Sequence, residues 1–253
     1  MLNGNLIFLI QNLVLKDFRI RYRNMSLGIA WSVVNPLLMM GILTFVFTHI
    51  YNNPIHHFAL FVLCALVPFN FYSLASNAGS TSLLDNSTLI KRVQCPRAVF
   101  PIASVLSSSL HFLIQIALLI VLLLIFGHKV NRYWILLPAI WGMEVVCLCG
   151  LALMTAALDI YYRDVRYLVE ASGLVMFWLV PVFYSLEMVP PGYQQLLMLN
   201  PIAAVAVAGR RVLIEGVSPS ANLLLQLSVV SIVILAMGFV VFRWLERDFA
   251  DYL

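Results

Sequence analysis

Six stretches of this chain are each roughly 20 mostly apolar residues long, enough for a helix rising about 1.5 Å per residue to cross a hydrocarbon core of about 30 Å. They cover residues 27–51, 58–78, 100–126, 134–157, 168–184 and 223–242. The fifth sits at the short end of the spanning range. Composition leaves little alternative: of 253 residues, 62% are hydrophobic and 10% charged, where a soluble domain carries about 25% charged residues. Such a domain has no interior large enough for this much apolar surface. A soluble enzyme and a disordered chain are both excluded. The expected fold is all-α, a single transmembrane domain over residues 1–253.

The 15 lysines and arginines orient it. With the N-terminus inside, eleven fall in inner segments (Lys16 to Arg23, Lys91 to Arg97, Arg163, Arg166, Arg243, Arg247) and four outside (Lys129, Arg132, Arg210, Arg211). That bias places both termini in the cytoplasm. A net charge of +4 then reflects membrane anchoring, and no nucleic-acid partner is expected. Residues 6–15 have basic groups after them and none before, the reverse of a signal peptide. At 100° per residue, Asn12, Lys16, Arg19 and Arg23 share one face and Ile7, Ile10, Val14 and Phe18 the other, as in a helix lying along the inner leaflet.

Two connections stand out. Residues 79–97 hold a polar, basic stretch around Lys91 and Arg92, broken at Pro96. It reads as a short helix outside the bilayer, either a solvated turn or a docking knob for a cytoplasmic partner. Residues 185–220 contain two apolar pieces, 193–199 and 202–214, separated by Asn200-Pro201 and each too short to span. They read as two short helices folding into the outer leaflet, or lying on it. Pro36, Pro68, Pro138 and Pro181 fall within the expected spans, where each frees a carbonyl that lipid cannot satisfy. Glu144 is the one acid deep inside a span, with His111 as a conceivable partner.

Catalytic chemistry is missing. The chain has no G-x-x-x-x-G-K-[ST], H-E-x-x-H or G-x-S-x-G. Asp159 and Asp164 are about 140° apart around a helix. The four cysteines suggest neither a disulfide plan nor a metal set; Cys147 and Cys149 read as apolar filler. Without an internal repeat or a second deep charge, an ion-driven carrier is poorly supported. Six spans without an engine fit half of a machine whose motor is a separate subunit.

The run LKDFRIRYR at 15–23, LGIAW at 27–31 and Asn35-Pro36 resemble the N-terminal signature of polysaccharide-export ABC transporter permeases. LIKRVQCPR at 89–97 with Phe100-Pro101 is similar to that family's coupling segment. YRDV at 162–165, Pro181 with Tyr184, and Leu199-Asn200-Pro201 follow in order. The branch resembled most is the membrane subunit of lipopolysaccharide O-antigen exporters, with capsule and teichoic-acid exporters as neighbours. The resemblance implies a homodimer bound to two copies of a cytoplasmic ATP-binding subunit, in the bacterial inner membrane. It implies export of an undecaprenyl-diphosphate-linked polysaccharide, with ATP and magnesium held on the partner and no cofactor in this chain.

Carried over by position, the resemblance puts Lys16, Asp17, Arg19 and Arg23 of the interfacial helix at the ATPase contact. With them come Leu89, Lys91, Arg92, Pro96 and Arg97 of the coupling segment. Pro190, Tyr193, Asn200 and Pro201 belong to the outer gate. Cys95 stands where the family often has a bulky residue. Sugar faces stack on aromatic rings while hydroxyls need hydrogen-bond partners. Phe69, Phe71, Tyr72, Phe177, Trp178, Phe183 and Tyr184 are accordingly candidates for a glycan path, or else belt aromatics. Arg19, Arg21 and Arg23 are candidates for the lipid diphosphate, or else inner anchors. A small-lipid or drug exporter and a proton-coupled carrier are the remaining alternatives.

Overall fold

The computed structural model describes residues 2–23, 25–51, 55–92 and 95–249, with side chains from residue 6 onward. The described residues form helices joined by turns and loops, with no strand. Ten α-helices follow in order: α1 (Leu2–Tyr22), α2 (Trp31–Phe45), α3 (Phe58–Asp85), α4 (Ser87–Arg92), α5 (Val99–Ile125), α6 (Leu137–Tyr161), α7 (Val165–Leu179), α8 (Pro191–Met198), α9 (Pro201–Leu213) and α10 (Ala221–Leu245). Residues 52–54 of the first outer loop and 93–94 of the expected coupling segment lie outside the described residues.

Among the described residues, five helical stretches are long and apolar enough to cross a membrane: Gly28–Ile50, Phe58–Asp85, Val99–Ile125, Arg132–Tyr161 and Ala221–Asp248. This is a multi-pass membrane protein. The first enters through a 3-10 turn at Gly28–Ala30 and leaves as a π-helix at Val46–Ile50. Helix α3 is central, with 67% of its most apolar window buried against 11% for Gly28–Ile50. It runs seven residues past the expected end at 78, so the expected loop from residue 79 begins as helix. Its polar end bonds back along its own turns: Ser82 Oγ donates to the Gly79 carbonyl (2.7 Å) and Asn86 Nδ2 to the Ser82 carbonyl (2.8 Å). Backbone groups leaving lipid are thereby satisfied within the element.

The expected fifth span, 168–184, is corrected. Helix α7 has 15 residues, roughly 22 Å at the usual rise. Val180 turns to φ −78°, ψ 129°, because a residue preceding proline is pushed out of the helical region. Pro181 therefore follows the helix instead of kinking it. Pro138 likewise sits in the first turn of α6, where its missing N–H costs nothing. Pro36 and Pro68 do lie inside α2 and α3.

The two short pieces before the last long helix are α8 and α9, bent by 104° to one another. Asn200 caps α9, its side-chain oxygen accepting from the Ile202 N–H at 3.0 Å, and Pro201 occupies the first helical position. Arg210 pins α9 in place: Nε donates to the Phe61 carbonyl (2.9 Å), a terminal nitrogen donates to the Val182 carbonyl (2.8 Å), and the guanidinium lies 3.4 Å from the Phe61 ring centre.

Helices α6 and α10 meet backbone to backbone at Gly150 and Gly238. A methyl group at Gly238 would stand 2.1 Å from the Gly150 carbonyl oxygen. Small residues at such a crossing let backbones approach where lipid supplies no hydrophobic drive for association. Helix α1 docks through Leu13, which is buried with Leu83, Val99, Phe100 and Ala103 of α3 and α5. The expected apolar face of α1 is therefore rotated. Ile7 is 60% exposed, while Leu6, Leu9, Ile10 and Val14 pack around Leu13. The helix is apolar on most sides over residues 6–15, so the protein surface, not the helix alone, selects which side is buried.

Candidate functional site

Four helices converge on a cleft of about 660 Å³, lined from α2, α3, α5 and α7. Its aromatic part is Trp31, Phe69, Phe177 and Trp178. Phe69 and Phe177 meet edge to face with centroids 5.3 Å apart, and Trp178 stands edge-on to Phe177 at 6.0 Å. Its polar part is a set of neutral groups, Asn35, Asn70, Ser73, Asn77 and Gln115, with His111 beside them and Glu170 on α7.

Spacing explains the lining. On α3, Asn70, Ser73 and Asn77 recur at i, i+3 and i+7, one stripe of a helix; Asn77 Nδ2 donates to the Ser73 carbonyl at 2.8 Å. On α5, His111 and Gln115 are one turn apart, their side chains bonded at 2.9 Å. On α7, Glu170, Gly173, Leu174, Phe177 and Trp178 fall on one face. Gly173 leaves room there: a methyl group on it would reach only Ser73 Oγ, at 4.0 Å. The α3–α7 wall is tied by the Tyr72 hydroxyl and Ser172 Oγ, 2.9 Å apart.

Hydrogen-bonding capacity is left open in this cleft. Gln115 is 2% exposed; its amide nitrogen donates to the Ser32 carbonyl (3.3 Å) while its Oε1 has no partner among the described residues. The side chains of Asn35 and Asn70 make no hydrogen bond with the described residues. Asn35 is exposed and Asn70 half-buried, so the cost of an unmet polar group falls on the buried Gln115 oxygen, which a ligand or water would satisfy. The cleft offers flat apolar faces beside unused donors and acceptors.

The expected path residues divide. Phe69, Phe177 and Trp178 line the cleft. Phe183 backs it, stacked 5.0 Å from Phe47 and in ring contact with Phe177 and Trp178. Tyr184 packs on Phe183 and donates to the Trp178 carbonyl at 3.1 Å. Phe71 does not belong to the lining: it is fully buried and stacked on Phe112 at 4.4 Å. Tyr72 is buried too and serves the α3–α7 tie. Sequence reasoning missed Trp31, Asn70, Ser73, Asn77 and Gln115 as lining groups. The polar stripe on α3 was the available signal.

A hydrogen-bond chain leads from the cleft to α1. The Tyr22 hydroxyl bonds His111 Nδ1, and His111 bonds Gln115. Burial raises the Tyr22 phenol above its ordinary value. Next to it, a polar pocket of about 470 Å³ is lined by Lys16, Asp17, Arg21, Asp85, Ser104 and Ser107 among others. Burial lowers the Arg21 guanidinium from its usual value. Lys16 donates to Asn86 Oδ1 (2.6 Å) and pairs with Asp17 (3.1 Å), joining α1 to the α3–α4 junction. Arg19 and Arg23 are exposed and border a second groove along α1, of about 860 Å³, which Leu89 also lines.

Helix α4 carries Lys91 and Arg92 fully outward and Leu89 partly inward. Pro96 is exposed. Arg97 is occupied, donating to the Glu246 carbonyl (3.0 Å) and lying 5.7 Å from the Phe249 ring centre. Of the expected gate residues, Pro190 precedes α8, Tyr193 is 65% exposed, and Asn200-Pro201 form the bend. Glu144 is completely buried, with neither oxygen hydrogen-bonded among the described residues. It is not paired with His111, whose bonds go to Tyr22 and Gln115. Among the described residues no group of three metal-binding side chains occurs, and the four cysteines are free.

The chain belongs to the ABC-2 type transporter family, whose model matches residues 9–214. It is similar to the O-antigen export system permease protein RfbA of Klebsiella pneumoniae, at 27% identity over 94% of this chain and 92% of that one. It is also similar to RfbA of Myxococcus xanthus, at 26% identity over 96% and 94%. The polysialic acid transport protein KpsM of Escherichia coli is 23% identical over 94% and 93%.

Proposed function

We propose that this chain is the membrane subunit of an ATP-driven exporter that moves a lipid-linked polysaccharide of O-antigen type across the bacterial inner membrane. The observation that carries the proposal is the cleft between α2, α3, α5 and α7, where aromatic faces share one lining with neutral side-chain amides. That combination suits pyranose rings, which present C–H faces for stacking and hydroxyls for hydrogen bonds. Relatives named for O-antigen export along nearly the whole chain support the same reading.

In this reading the chain is not an enzyme, and ATP and magnesium bind a separate cytoplasmic subunit. Two permease chains and two ATPase chains form the complex. The channel runs along the permease homodimer, because one such bundle is too narrow for a hydrated polymer. Helix α4, with Lys91 and Arg92 outward, docks the ATPase together with the exposed basic side of α1 (Arg19, Arg23). Lys16, Asp17, Leu89, Pro96 and Arg97 hold those two elements in position. Arg19, Arg21 and Arg23 attract the undecaprenyl diphosphate at the inner surface, and the α8–α9 bend at Asn200-Pro201, with Pro190 and Tyr193, forms the outward gate. Both termini are cytoplasmic.

The test is export in cells and in proteoliposomes. Cells lacking the chain should keep the polymer inside, and the chain with its ATPase should restore surface polymer only while ATP is hydrolysed. Transport by the purified chain alone, driven by a proton gradient, would overturn the proposal.

A further inference from the structure

The cleft carries a specific charge signature. Among its lining residues there is no lysine and no arginine. Its polar groups are amides, a hydroxyl and an imidazole already engaged by Tyr22 and Gln115. The one formal charge is the carboxylate of Glu170, which is exposed on α7. Arg21 lines the separate pocket with Lys16 and Asp17. The buried cation Arg210 is spent on two backbone carbonyls and the Phe61 ring.

A polymer carrying a carboxylate or phosphate in every repeat loses its hydration on entering such a low-dielectric wall. Sites for repeated anions recover that loss with guanidinium or ammonium partners. This wall has none to offer, and Glu170 repels an anion at the opening. A neutral glycan meets no such penalty, since amides and aromatic faces match its hydroxyls and C–H surfaces. A second copy of the chain would add the same lining again.

Resting on the polysaccharide-export reading, we infer that the transported polymer is an uncharged glycan, built from neutral hexoses or deoxyhexoses, and that the cleft discriminates against polyanionic chains such as a sialic acid polymer. The basis is the juxtaposition of Trp31, Phe69 and Phe177 with Asn35, Asn70 and Gln115 in a wall free of cations. The carrier's diphosphate is a separate, terminal charge and is handled outside this cleft.

Deleting the chain from its own host and isolating the lipid-linked polymer that accumulates inside tests this directly. After mild acid release from the carrier, the polymer is expected to pass an anion exchanger unretained. A strongly retained polyanion overturns the inference while leaving the export reading standing. No accumulated polymer overturns the export reading itself.

Discussion

At Gly173 a missing side chain creates space. It faces Ser73 across the cleft, with 4.0 Å between a would-be methyl group and the hydroxyl oxygen, so a side chain can start there without moving backbone and extends into the cleft. Gly173→Leu is expected to leave the complex intact, as judged by co-purification, and to cut surface polymer severalfold by narrowing the passage. Unchanged export from the variant would show that the cargo does not pass between α3 and α7. Cys95 offers a check on burial outside the spans. Desolvation pushes its thiol up from the ordinary value, so at pH 7 to 8 it holds less thiolate than a free cysteine. In a variant whose other three cysteines are serine, maleimide labelling should be slower than that of glutathione at the same pH. Its rate should rise over a higher pH range than that of glutathione. Labelling as fast as glutathione at pH 7 would contradict a partly buried thiol.

Helices α4 and α10 make separate demands. Lys91 and Arg92 end α4 exposed, whereas Arg97 is tied to the Glu246 carbonyl and Phe249. Replacing Lys91 and Arg92 together with alanine should weaken retention of the ATPase without altering the chain's heat stability in detergent. Arg97→Ala should instead lower that stability, because it leaves the end of α10 unclamped; the two outcomes reversed would exchange the roles proposed for them. At the α6–α10 crossing, Gly238→Ala pushes a methyl group into the Gly150 carbonyl. Overpacking of that kind costs about 1–3 kcal/mol, read as less folded protein surviving a heat step, and a variant as stable as the parent would mean that the crossing opens freely. How far such elements can be read from sequence depends on what fixes them. The long spans are legible because a membrane imposes their length, and the break at Asn200-Pro201 because two local residues make it. The end of α7 was also written locally, in Val180 before Pro181, but a run of apolar residues continuing to Tyr184 masked it. The buried side of α1 was not legible, since residues 6–15 are apolar nearly all round and only the docking surface of α3 and α5 makes a choice.

Across the whole molecule, the cleft is the property least visible in the sequence. Its walls come from residues as far apart as Trp31 and Trp178, and no local pattern states that α2 and α7 will border one cleft. Phe71 and Phe69 look alike in the chain, two residues apart on one helix, yet one is locked against Phe112 and the other open to the cleft. The polar stripe of α3 was legible as a pattern and illegible as a place. The same wall contains α7, which is not among the five stretches long and apolar enough to span and at roughly 22 Å is about 8 Å shorter than an ordinary hydrocarbon layer. Were α7 to cross as the sequence leads one to expect, lipids beside it would compress or tilt to meet it, dimpling the bilayer next to the cleft and shortening the oily barrier facing a polar headgroup. Reconstitution in lipids with progressively longer acyl tails should therefore slow transport, and shorter tails should restore it.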